Sequence, residues 1–110
     1  MPFDGTPELD IATINRIVLA ARADGRLICD NPKTIQSNAF WHKTGGVTYV
    51  CAVGAVDQAL GHPHSPFGAF TQHLNALMDA HDRLFRARTS RHKDRIARRE
   101  AEFDALLART

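Results

Sequence analysis

The sequence predicts a mainly α-helical protein: three to four helices packed around a small β-hairpin, α+β with minor β. Three observations carry this reading. Apolar residues recur at helical spacing through residues 11–21 and again through residues 67–84. The stretches "AFWHK" and "VTYV" are rich in aromatic and β-branched residues, and the "TGG" between them suits a hairpin turn. The 110 residues, 44% hydrophobic and 24% charged, are enough for one domain, residues 1–110, with a single core.

Each element has its own signal. "GTPELD" reads as a helix start, with Thr6 as N-cap, Pro7 at the first helical position, and Glu8 and Asp10 at the positive end of the dipole. Ile11, Ile14, Val18 and Ala21 then line one buried face, and "ADG" ends the helix with Gly25 in the left-handed conformation. "RLIC", residues 26–29, reads as a short strand closed by the "DNP" turn. After the hairpin, "CAVGAVDQALG" reads as a short, almost wholly buried helix whose polar positions are Asp57 and Gln58. "HPHSPF" repeats the start signal, with Ser65 as N-cap and Pro66 at the first helical position. Phe67, Phe70, Leu74, Leu77, His81 and Leu84 follow as a seam for packing on other helices. Continued in phase, the seam lands on Arg88, Arg91, Arg95 and Arg98. A break is therefore expected near "RTSRH", with Ser90 as a new cap. Residues 86–110 then form a basic, projecting C-terminal helix with a displaced apolar row at Ile96, Phe103 and Leu107.

The net charge of +2 hides an asymmetry. Residues 86–99 hold Arg86, Arg88, Arg91, Lys93, Arg95, Arg98 and Arg99 against the single acid Asp94, a net +6. The chain on either side is mildly acidic. Localised charge of this kind concerns partners rather than fold. No segment approaches the ~20 apolar residues of a membrane span, so no membrane role is expected. The acidic start lacks the basic region of a signal peptide. Two cysteines, Cys29 and Cys51, are too few for a disulfide scaffold and lack metal-type spacing. A cytoplasmic protein with reduced thiols is expected.

At Cys51-Ala52-Val53-Gly54-Ala55 the chain resembles a small family of uncharacterised bacterial and phage proteins with a C-A-[LV]-G-A helix start. In that family an N-terminal helix leads through a hairpin-like segment into this motif, as the helix of residues 6–25 does here. The family closes on W-N-D and R-T; this chain has Asp82 and Arg88-Thr89, with His81 where the asparagine falls. The resemblance implies a bacterial or phage setting and no chemistry.

Four readings compete for function. A thiol enzyme would use Cys51, whose place at a helix start lowers a thiol pKa. Its histidine partners are poorly placed, since His62 and His64 lie about 15 Å away at the far end of a three-turn helix. The bland reading of Cys51 is a small packed residue. A metal held by His62, His64 and His73 lacks a helical ligand spacing such as H-E-x-x-H. His81, on the seam, reads as a satisfied core histidine. The basic run is either a solvated helix face or a grip on nucleic acid or an acidic protein surface, and arginine is the better fork for phosphate or carboxylate. Ile96, Phe103 and Leu107 would support self-association, giving a homodimer. The sequence thus favours a non-enzymatic binding protein without cofactor or metal. The expected role is a phage or mobile-element accessory or inhibitor acting on a host nucleic-acid-handling complex.

Overall fold

The computed structural model describes residues 10–35, 40–60 and 71–110. Among these residues the elements are α1 (Ile11–Ala23), a 3-10 turn (Ile28–Asp30), β1 (Trp41–Thr44), β2 (Val47–Val50), α2 (Ala52–Leu60), α3 (Thr71–Ser90) and α4 (Lys93–Leu107). Four helices and one antiparallel hairpin match the fold read from the sequence. No helix among the described residues is long and apolar enough to cross a membrane.

α1 begins later than the sequence suggests. Asp10 has extended backbone and accepts a hydrogen bond from the Thr13 amide at 2.7 Å, so it is the N-cap and not a first-turn residue. Thr6, Pro7 and Glu8 lie outside the described residues, as do His62, His64, Ser65, Pro66, Phe67 and Phe70. Gly25, at φ 71°, ends α1 as expected. Its amide bonds the Arg22 carbonyl and the Arg26 amide bonds the Ala21 carbonyl, the two closures of a Schellman turn.

"RLIC" is not a strand. Leu27 makes one parallel bridge to Val50, and the chain then tightens into the 3-10 turn. Asn31 explains the change: its side-chain amide donates to the carbonyls of Gly25 and Leu27 and folds the segment back on itself. The hairpin pairs Trp41 with Val50 and Thr44 with Val47 around Gly45 and Gly46, at φ 58° and 80°. Two consecutive positive φ angles require the two glycines.

Cys51 is the N-cap of α2. Its Sγ accepts from the Gly54 amide at 3.3 Å, the Cys51 amide bonds the Phe40 carbonyl, and Cys51 and Gly54 are buried. A Cβ on Gly54 would sit 1.9 Å from that same carbonyl oxygen. The C-x-x-G of the helix start is therefore packing chemistry: a small capping thiol and a bare Cα under the hairpin backbone.

α3 and α4 form an antiparallel pair that folds back on α1. Leu74, Leu77, His81 and Leu84 of the α3 seam are buried. Phe103 of α4 meets the His81 ring edge-on, with centroids 6.1 Å apart, and is fully buried. Leu107 is buried as well, and Ile96 packs against the same core. This corrects the self-association reading. The apolar row at Ile96, Phe103 and Leu107 is consumed inside the chain because the turn at Arg91 lays α4 along α3.

Candidate functional site

The site is built from two helix ends and one carboxylate. α1 and α3 both finish in a Schellman turn. In the second, the Arg91 amide bonds the Arg88 carbonyl and the His92 amide bonds the Ala87 carbonyl. Arg22 and Arg88 occupy the same position in the two turns, and both side chains close on Asp30. Arg22 Nε donates to one oxygen at 3.1 Å, and Arg88 donates to the other as well as to the Cys29 carbonyl. Arg22 continues to Asp104 at 2.7 Å and lies over the Phe103 ring, while Arg88 continues to Glu100. Burial pulls both guanidinium pKa values down, but the carboxylate hydrogen bonds prevail and raise them, so both stay charged.

This clamp removes Arg88 from the expected partner-binding set. Arg99 is diverted too, since it pairs with Glu102 one turn on. The remaining five, Arg86, Arg91, Lys93, Arg95 and Arg98, are exposed and make no ion pair among the described residues. In sequence they flank the elbow where α3 turns into α4. Ser90 is not the cap expected there: it ends α3 and donates back to the Arg86 carbonyl, and His92 takes the N-cap place with no side-chain bond.

Two features of the elbow run against helix stability. Arg91 stands at φ 59°, where its counterpart in the first turn is Gly25. A left-handed conformation costs a non-glycine residue about 1–2 kcal/mol. Lys93 and Arg95 sit in the first turn of α4, at the positive end of its dipole, where each cation loses about 0.3–1 kcal/mol. Stability alone would choose other residues here.

The competing sites are weaker. Cys29 and Cys51 are both fully buried free thiols. Burial pushes the Cys51 pKa up to about 11 against the pull of the Gly54 amide, and burial beside Asp30 raises Cys29 further still. Neither supplies thiolate at neutral pH. His81 Nε2 accepts from the Cys29 amide at 3.1 Å, which puts its ring proton on Nδ1, facing Asp82. It is a satisfied core histidine. His73 Nε2 lies 2.8 Å from the Asn15 side-chain oxygen. The Asn15 amide nitrogen donates to the carbonyls of Leu106 and Arg109, which fixes the amide and makes His73 the donor. Among the described residues no group of three potential ligands could hold a metal ion. A cavity of about 180 Å³ between α1 and α2 is lined by Ile17, Ala21, Ala55 and Ala59, with Arg26 and Gln58 bonded to each other at its edge. Ligand pockets ordinarily exceed about 300 Å³.

Sequence reasoning placed the charge correctly but missed Asp30, which decides which arginines stay free. It also missed the exposure of Phe40 and Trp41. No protein-family model, curated protein or solved structure matches this chain.

Proposed function

We propose that this chain is a small binding protein, not an enzyme, that seats the phosphate backbone of a nucleic acid against the α3–α4 elbow. The observation that carries this is the set of five exposed cations without ion-pair partners among the described residues, Arg86, Arg91, Lys93, Arg95 and Arg98. One of them is kept in a conformation that favours glycine. Each phosphate neutralised there would release condensed counterions, giving a binding free energy that depends on salt and little on sequence. The burial of both thiols supports a binding role over a catalytic one. In this reading the protein occupies or bridges nucleic acid handled by another complex, as an accessory or inhibitory protein would.

The test is charge reversal. Arg91→Glu, Arg95→Glu and Arg98→Glu together should leave the helical circular dichroism unchanged and remove nucleic-acid binding in an anisotropy titration at about 50 mM salt. Wild-type protein that binds neither DNA nor RNA under those conditions would refute the proposal.

A further inference from the structure

The described residues expose four large hydrophobic side chains, and three of them lie in or directly before the hairpin: Trp41, Val47 and Phe40, the residue preceding β1. Phe40 and Trp41 are 62% and 63% exposed, values that stand out for aromatic rings. β1 is open on both faces, since Trp41, His42 and Lys43 are all exposed. Its outer edge has no strand partner among the described residues. Exposed apolar groups concentrated on one element mark an interaction surface.

The surroundings select the partner. From Asn31 to Val56 the chain contains no aspartate or glutamate, while it carries Lys33, His42 and Lys43. An acid-free basic segment suits a polyanion. Trp41 and Lys43 are two residues apart on one strand and so project from the same face, about 7 Å apart along the chain. That spacing sets a ring for a base beside a cation for a phosphate. Lys43 in the middle of an edge strand also discourages a further strand from pairing there, which argues against a second copy or an extended peptide.

We infer that the nucleic acid recognised is single-stranded, a base stacking on Trp41 while Lys43 holds an adjacent phosphate. This inference rests on the phosphate-binding reading of the elbow and deepens it. A duplex keeps its bases stacked on one another and offers the hairpin nothing to stack against. A single strand presents every base as a π-face, and each base–aromatic stack supports binding without sequence preference. The elbow then supplies the counter-charge and the hairpin the discrimination between single and double strands.

The chain has one tryptophan, so Trp41 is its own reporter. Fluorescein-labelled oligothymidylate of about 20 nucleotides and a duplex of equal length are titrated with the full chain, with anisotropy and tryptophan emission both followed. The expected result is binding of the single strand with quenching of Trp41. Trp41→Ala should lose roughly 5- to 150-fold in single-strand affinity, with duplex affinity changed less than about twofold. Trp41→Phe, which keeps a ring, should retain most of the binding, and unchanged circular dichroism separates loss of the ring from loss of the fold. Equal binding of both DNAs with unquenched tryptophan, and a Trp41→Ala variant that binds as wild type does, would overturn this inference and leave the elbow proposal standing. No anisotropy change with either DNA would overturn both and turn attention to a protein partner.

Discussion

The turns that end α1 and α3 use the same backbone hydrogen bonds but different residues. At the first, Gly25 takes the left-handed position, and a Cβ there would meet nothing within 4 Å among the described residues. At the second, Arg91 takes it. Both turns are anchored the same way, by an arginine gripping Asp30 from either side, so the anchoring does not explain the difference. The first turn is built for the backbone alone. The second retains a long cation at the cost of backbone strain, in company with Lys93 and Arg95 on the wrong end of a helix dipole. The comparison separates arginines that hold the fold, Arg22 and Arg88, from arginines that the fold does not need.

Removing the shared anchor should have the largest effect. Asp30→Ala leaves Arg22 and Arg88 each short of a carboxylate in a partly buried site and should cost about 3 kcal/mol in urea unfolding. A loss below about 1 kcal/mol would show that Asp104 and Glu100 suffice, and that Asp30 is no keystone. The two turns themselves should then respond with opposite signs. Gly25→Ala should destabilise by about 1 kcal/mol through backbone strain alone, and Arg91→Gly should stabilise by about 1 kcal/mol. Destabilisation in both would mean that Arg91 makes a structural contribution and would break the comparison.

A smaller effect is expected from His73. It is buried against Asn15, its Nδ1 has no hydrogen-bond partner among the described residues, and burial followed by the nearby Arg109 charge lowers its pKa below the usual 6.5. The folded state therefore disfavours the protonated ring that the unfolded chain accepts. Stability should be full above pH 6.5 and fall as the pH drops through that value toward the lowered folded pKa. In His73→Gln that step should disappear from the pH profile.

Much of this architecture was legible in the sequence, because it rests on local rules. The Gly25 helix end, the double-glycine hairpin, the α3 seam and the break before Lys93 each follow from steric or periodic demands of a few residues. What was not legible depends on distant pairings. "RLIC" has strand composition, but Asn31 reaches back to the Gly25 and Leu27 carbonyls and winds it into a turn. The row at Ile96, Phe103 and Leu107 signals only that something must cover it. Whether that is another chain or α3 is settled by the direction of the chain after Arg91. The basic run was visible as seven cations, but its division needed the positions of Asp30, Glu100 and Glu102 in space. Arg88 and Arg95 look alike in sequence and differ only in the carboxylates within reach.

That division is most directly tested by the salt dependence of nucleic-acid binding in wild type and Arg91→Gly. If the five elbow cations meet phosphates, log K against log salt for a single strand should have a slope of roughly −3 to −4. Arg91→Gly, although more stable, should lower the magnitude of that slope by about 0.7. A wild-type slope near zero, or one that Arg91→Gly leaves unchanged, would contradict the claim that this arginine is retained for phosphate.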